Sequence, residues 1–162
     1  MIVGIVGDTH NNLINISSIC DLFNKARVEL VIHTGDITLP KSLSAFKKLN
    51  MPLVGVFGNN DQGDKEDLKK VAESFDCELF DEPHKIRLEN KNILILHDPK
   101  IISDDLMRDS NVIFHGHTHR YRCEKINDTL IFNPGECAGF LKGKNNIGII
   151  NLNTMKVDTI SF

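Results

Sequence analysis

The chain has 162 residues, 41% of them hydrophobic and 25% charged, which is typical of one globular domain with a sizeable core, here expected to span residues 1–162. The formal net charge of −3 at pH 7 makes nucleic acid and anionic membrane surfaces poor partners. No apolar run reaches the roughly 18 residues of a membrane span, and the four cysteines lack CxxC spacing, so we expect a cytoplasmic protein with reduced thiols and no membrane association.

The first half of the chain alternates predicted strands and helices. Short apolar, β-rich runs predict buried strands at Ile2–Val6, Leu30–Ile32 and Leu53–Phe57. Apolar residues at helical spacing predict helices over Leu13–Phe23 (capped by Asn11 or Asn12), Ser42–Leu49 and Lys65–Phe75. This βαβαβα order predicts a parallel sheet with right-handed crossovers.

The second half changes character to short strands separated by turns. One short helix is predicted at Ser103–Arg108, and a hairpin turn at Asn90-Lys91. The predicted strands are Glu78–Phe80, Lys85–Glu89, Asn92–Leu96, Val112–Phe114, Tyr121–Ile126, Leu130–Phe132, Ile147–Leu152 and Val157–Phe162. This much antiparallel meander predicts a second sheet packed on the first. The expected fold is therefore α/β, with two mixed sheets face to face and helices outside.

Five of the predicted strands end in side chains that bind metal ions. The five segments are Gly7-Asp8-Thr9-His10, His33-Thr34-Gly35-Asp36, Gly58-Asn59-Asn60-Asp61, His97-Asp98 and His115-Gly116-His117-Thr118-His119. In open α/β sheets the ligand site gathers where strands emit their C-terminal loops. We therefore expect carboxylates, imidazoles and an amide to meet in one pocket and form a metal site.

Such a donor set suits a pair of metal ions. A carboxylate can bridge two cations, while His and Asn supply one donor atom each. His117 and His119 lie two residues apart, so in an extended segment both side chains would point the same way. Two ions about 3.5–4 Å apart would share a hydroxide that is nucleophilic near neutral pH. The mixed oxygen and nitrogen donors suit Mn, Fe, Ni, Co or Zn, and the sequence does not distinguish among these metals.

The ordered strand-end motifs resemble those of the calcineurin-like metallophosphoesterases. The series runs Asp8-x-His10, Gly35-Asp36, Gly58-Asn59-Asn60-Asp61, His97 and Gly116-His117-Thr118-His119. The small size and the Asn133-Pro134-Gly135-Glu136 turn are most similar to the short bacterial and archaeal phosphodiesterases of that superfamily, which share their fold with a non-catalytic retromer subunit. The resemblance spans Asp8 to Gly135 and implies a four-layer α/β/β/α sandwich.

The resemblance also implies which residues hold which ion. One ion would take Asp8, His10, Asp36 and His119. The other would take Asp36, Asn59, His97 and His117, with Asp36 bridging the two. The implied chemistry is in-line attack of a metal-bridging hydroxide on the phosphorus of a small phosphate ester.

Asn60 stands where many members of the superfamily have a histidine that helps protonate the leaving oxygen. Its amide has no titratable proton and can only donate a hydrogen bond, so as the candidate catalytic residue it favours esters with good leaving groups, such as aryl esters. Two divalent ions (+4) against Asp8, Asp36 and hydroxide (−3) leave about +1, which suits a monoanionic diester. Asp98 replaces a usual glycine and would further disfavour monoesters if it faced the site.

The remaining candidates carry weaker expectations. His33 and His115 are expected to pack beside the site, His84 to lie on the surface and Asp61 to brace its loop. Glu136 is expected either to contact substrate or to lie on the solvated rim. Lys142-Gly143-Lys144 is expected to form an exposed basic loop tip.

Three alternatives stay open at the level of sequence. A non-catalytic, metal-binding scaffold for protein–protein interaction is the main competing function. A nuclease is disfavoured by the acidic charge balance. A homo-oligomer could form through an antiparallel edge strand.

Overall fold

Two mixed β-sheets carry the architecture in the computed structural model, which describes residues 1–141 and 143–162. Lys142, part of the predicted basic loop tip, lies outside the described residues. The first sheet contains β1 (Ile2–Val6), β2 (Leu30–His33), β3 (Leu53–Val56), β4 (Cys77–Phe80), β10 (Asn146–Asn151) and β11 (Lys156–Ser161). Its strand order is β11-β10-β1-β2-β3-β4. Strands β1 to β4 are parallel, as their helical crossovers require, while β10 and β11 run antiparallel at one edge.

The second sheet has the order β5-β6-β7-β9-β8. Its strands are β5 (His84–Leu88), β6 (Lys91–Ile95), β7 (Val112–Phe114), β8 (Arg122–Ile126) and β9 (Thr129–Asn133). The three central strands β6, β7 and β9 are parallel, and a hairpin partner flanks them on each side.

The α-helices are α1 (Leu13–Ala26), α2 (Pro40–Ala45), α3 (Lys65–Ala72) and α4 (Asp104–Arg108). The Asn12 side chain caps α1 by accepting from the backbone N–H of Asn15, which selects Asn12 over Asn11. The predicted helix Ser42–Leu49 is instead α2 followed by a 3₁₀ turn at Phe46–Lys48. Among the described residues, no helix combines the length and apolar character that crossing a bilayer demands.

Three apolar interfaces separate four layers. Helix residues such as Ile19, Leu43 and Leu68 pack on one face of the first sheet. The opposite face, including Ile5 and Ile32, packs on side chains of the second sheet. The outer face of the second sheet packs against α4 through Leu106 and Met107. The predicted α/β fold with two mixed sheets between helices is confirmed.

The predicted meander was wrong in its strand pairing. Strand β4 extends the first sheet in parallel with β3, and β10 and β11 return to pair beside β1. Periodicity identifies a strand but carries no information on its partner, which is set by long-range packing. The hairpin turn also differs by one residue: it is Glu89-Asn90, both with positive φ (47° and 61°), between β5 and β6.

Candidate metal centre

The predicted donor residues follow five strands that end at one edge of the molecule. Because β1, β2 and β3 are parallel neighbours, and so are β6 and β7, their C-terminal loops leave each sheet on the same side. Backbone hydrogen bonds tie these loops together, from Asp8 N to Gly35 O (3.0 Å) and from Gly116 N to His97 O (3.2 Å). All seven predicted metal-binding side chains meet here: Asp8, His10, Asp36, Asn59, His97, His117 and His119.

Five of these residues have left-handed backbone conformations. The φ angles are 51° at Asp8, 45° at His10, 57° at Asp36, 67° at His117 and 54° at His119. Such conformations are uncommon outside glycine and persist only where surrounding contacts hold them. The extended segment expected for His117 and His119 was therefore wrong. The chain turns there because the N–H of His117 donates to the Asp8 carboxylate, 3.0 Å away.

One set of donors gathers around the Nε2 atom of His97. Nε2 lies 2.9 Å from Asn59 Oδ1, 3.2 Å from His117 Nδ1 and 3.4 Å from Asp36 Oδ2. The other ring nitrogen, Nδ1, lies 2.9 Å from the carbonyl oxygen of Thr34 and so carries a hydrogen. In a neutral ring Nε2 is then an acceptor that faces the oxygen atoms of Asn59 and Asp36. A positive charge among these atoms, either a proton on Nε2 or a cation, satisfies them best.

A second set of donors lies beside the first. His119 Nε2 is 3.6 Å from Asp8 Oδ1, and His10 Nε2 is 3.9 Å from Asp36 Oδ2. The donor atoms of Asp8, His10 and His119 all lie within 4.8 Å of one another, and the same holds for Asp8, Asp36 and His97. His10 Nε2 is buried and has no hydrogen-bond partner among the described residues. A buried, unpaired imidazole nitrogen fits a metal ligand well.

The pKa values of the buried groups show how strongly charge is concentrated here. Burial raises the pKa of Asp8 to about 6, although His97 and His119 oppose the shift. Burial also acts to raise the pKa of Asp36, but the contacts from His97 and Asn60 hold that pKa well below its usual range. Burial alone would lower the pKa of His97, yet the Asp36 carboxylate raises it to about 9. The site therefore favours bound positive charge.

Comparison with known proteins identifies the family. The sequence profile of the calcineurin-like phosphoesterase superfamily domain matches residues 1–155. The chain belongs to this superfamily. It is 34% identical over 155 residues to phosphodiesterase MJ0936 of Methanocaldococcus jannaschii, with 93% of each chain covered. The expected enzyme class, a phosphoric ester hydrolase, is thereby confirmed, and the family implies divalent metal ions as cofactors.

Solved structures support the same assignment. An archaeal phosphodiesterase superposes with a TM-score of 0.86 at 30% identity over all of both chains. At lower identity, the fold is shared with the phosphoesterase YfcE of E. coli (18% identity, TM-score 0.73) and with a zinc complex of Vps29 from Entamoeba histolytica (16%, 0.66), each over 99% of both chains.

Asn60, where calcineurin-like proteins often carry histidine, lies at the solvent-exposed side of the site. Its backbone N–H donates to Asp36 Oδ1 (2.9 Å) and its side-chain Nδ2 donates to Asp36 Oδ2 (2.7 Å). The amide thus contacts the carboxylate expected to bridge the ions. The Asp98 carboxylate accepts from the N–H of Lys100, a local turn-capping contact.

Two glutamates support the site through contacts that the sequence did not predict. Glu136 was expected on the rim or toward substrate; the rim position was wrong, because its side chain is buried and lies 3.3 Å from His119 Nδ1. A signal was available, since Glu136 follows β9, which is parallel to β7 and ends at the same edge. Glu82 accepts from the N–H groups of His97 and Asp98 and had no recognisable signal.

The supporting residues act through the backbone. Asp61 braces its loop as expected, accepting from the N–H groups of Asp36 (2.9 Å), Thr38 (2.6 Å) and Gly58 (2.7 Å). His33 accepts from Gly35 N–H and contacts Thr9 Oγ1, and burial lowers its pKa to about 3, so it is neutral.

The other two histidines lie away from the donor sets. His115 is buried with Nδ1 3.0 Å from the oxygen of Gly116, as expected for a packing role. His84 is only half-exposed, because its ring stacks on Phe80 at a centroid separation of 3.7 Å.

Proposed function

We propose that this protein is a dinuclear metal-dependent phosphodiesterase that prefers diesters with good leaving groups. The observation that carries the proposal is the convergence of seven side chains with oxygen and nitrogen donors, among which Asp36 Oδ2 lies within 4 Å of both His10 Nε2 and His97 Nε2. Both a sequence relative and a solved structure are named as phosphodiesterases, which supports the reaction class.

Asp36 is suited to bridge two ions. Its Oδ2 atom lies 3.4 Å from His97 Nε2 and 3.9 Å from His10 Nε2, so one oxygen faces both donor sets. One ion would be held by Asp8, His10, Asp36 and His119, and the other by Asp36, Asn59, His97 and His117. Pairs of donors bound to a common ion at about 2.1 Å stand roughly 3 Å apart, close to the separations around His97.

When bound, two divalent ions supply an acidified water as nucleophile and neutralise phosphoryl charge. The chain's own residues fix the geometry and the charge. Asp8 and Asp36 contribute −2, so that with two divalent ions and a hydroxide the site would carry about +1, which would match a monoanionic diester. Mn, Fe, Ni, Co and Zn all suit these donors.

Asn60 determines how stable the leaving group must be as an anion. One Nδ2 hydrogen donates to Asp36 Oδ2 and the other can donate to a phosphoryl or leaving oxygen, but the amide has no proton to transfer at neutral pH. The leaving group must therefore depart as a stabilised anion, such as a phenolate. This reasoning favours aryl esters over simple alkyl esters.

The proposal is tested by metal analysis combined with hydrolysis of bis(4-nitrophenyl) phosphate. Purified protein supplied with Mn or Ni is expected to hold two ions per chain and to release 4-nitrophenol, whereas chelator-treated protein does neither. Fewer than one tightly bound ion per chain together with no turnover would favour the scaffold function. The fold alone does not decide between the two, because a non-catalytic retromer subunit shares it. The cytoplasmic location and a homo-oligomer stay predictions.

A further inference from the structure

An exposed aromatic ring lies directly against the candidate metal centre. The Phe140 side chain is 69% exposed, yet its ring centroid is 5.6 Å from that of His119, with the planes only 16° apart. The same ring lies 5.3 Å from His10 at an angle of 45°. One side of the ring thus packs on two donor imidazoles, while most of its surface meets solvent.

The segment that carries Phe140 is fixed at both ends. Asn12 Nδ2 donates to the carbonyl of Ala138 (2.9 Å), and Asn15 Nδ2 donates to that of Cys137 (2.8 Å), which ties the segment to the start of α1. On the other side, the N–H of Leu141 donates to Oε1 of the buried Glu136 (3.0 Å). The ring position is therefore set by the same carboxylate that contacts His119.

Exposed apolar side chains are frequent in the segment that carries Phe140 and at the start of α1. Six large hydrophobic side chains are exposed in the part of the chain that the structure describes, and four of them belong to the two segments just tied together. Those four are Leu13, Ile14, Phe140 and Leu141. Single exposed apolar residues need no explanation, but Phe140 differs from the other three because its ring also packs on two candidate donor imidazoles.

We propose that the Phe140 ring is a stacking platform for a planar aromatic group of the substrate, such as an aryl ring or a nucleobase. The inference rests on the proposed function and names its substrate class. A diester phosphate held at the metal centre is joined to its aromatic group through one ester oxygen, so that group lies within reach of the ring beside His119. Offset stacking on an aromatic side chain accepts any planar ring.

The platform is tested by binding, with two monoanionic phosphorus compounds that differ in one group. Methyl phenylphosphonate and methyl methylphosphonate are titrated calorimetrically into metal-loaded protein. The native protein is expected to bind the phenyl compound about fivefold to tenfold more tightly. Phe140→Ala is expected to remove most of this preference, Phe140→Leu part of it, and Phe140→Trp none of it.

Leu141→Ala is the matched control, because it removes an exposed apolar side chain from the same segment without removing a ring. It is expected to leave the phenyl preference unchanged. Equal binding of both compounds by the native protein, an unchanged preference in Phe140→Ala, or an equal loss in Leu141→Ala would each overturn the platform. Hydrolysis of bis(4-nitrophenyl) phosphate by the native protein separates the two failures: intact turnover without a phenyl preference defeats only the platform, whereas absent turnover defeats the proposed function as well.

Discussion

Glu136 lies directly behind His119, with its Oε2 atom 3.3 Å from Nδ1 of the ring, while Nε2 of the same ring faces Asp8 Oδ1 at 3.6 Å. The contact orients the imidazole, so that the nitrogen aimed at the site is fixed by a buried carboxylate. Because Glu136 also accepts from the N–H of Leu141, it joins a candidate metal ligand to the segment that carries Phe140.

Glu136→Gln is expected to weaken metal binding by about 10- to 100-fold, because an amide of the same size loses the charge that orients His119. The measurement is a competition titration of the metal-loaded protein with a chelator. Glu73→Gln, at an exposed position after α3, is the control and is expected to have no effect. Equal metal affinity in both variants would show that Glu136 only packs.

Asp36→Asn is expected to lower kcat/KM for an aryl diester by a factor on the order of 10²–10³ or more, because the variant loses the carboxylate shared by both donor sets. The number of bound ions is expected to fall below two per chain. Asn60→Ala removes only a hydrogen-bond donor and is expected to cost much less. Steady-state kinetics with metal analysis measures both, and a near-native rate in Asp36→Asn would refute the bridging role.

The strand-end rule predicted that these side chains converge because it depends on local chain chemistry. Short apolar runs end at polar turns, and parallel strands must deliver those turns to one edge of a sheet. The sequence alone could therefore predict that Asp8, Asp36 and His97 lie close together. That they do meet is a matter of geometry; their role as ligands stays part of the proposal.

Other features depended on contacts that no local pattern carries. The left-handed φ at His117 follows from its bond to the distant Asp8 carboxylate, so an extended segment was the natural but wrong expectation. The pairing of β10 with β1 in the first sheet depends on the edge of β1 that β2 leaves unpaired. Burial of Glu136 likewise depends on the segment that folds over it.

Gly58 is expected to tolerate no side chain, for a steric reason. A Cβ at this position would lie 2.2 Å from Asp36 Oδ1 and 2.5 Å from Asp36 N, so the strand-end loops would have to separate. Gly58→Ala is therefore expected to lower the free energy of unfolding by about 1–3 kcal/mol and to weaken metal binding. Gly63→Ala is the matched control, since a Cβ there meets nothing within 4 Å. Denaturant unfolding compares the two, and equal stabilities would contradict the close approach.

Metal binding is expected to release a proton near neutral pH. The pKa of His97 is raised from its ordinary 6.5 to about 9 by the Asp36 carboxylate, against the effect of burial, so the ring is protonated in metal-free protein at about pH 7.5. Asp8, with a pKa near 6, is already ionised there. A cation can bind Nε2 of His97 only after that proton leaves, so His97 should release about one proton per chain, in addition to the proton that a metal-bound water would lose in becoming hydroxide.

The pH window follows from the same shift. Because the folded-state pKa of His97 lies above its unfolded value, its contribution to the stability of metal-free protein is fully present below about pH 6.5 and is lost as the pH rises through about 9. Calorimetric titration of Mn into metal-free protein, in two buffers of different ionisation enthalpy, measures the released protons. The number released at about pH 7.5 is expected to fall by about one above about pH 9.5, where His97 is already neutral and only the metal-bound water contributes. If the number of released protons is the same at about pH 7.5 and above about pH 9.5, His97 is neutral before the metal binds.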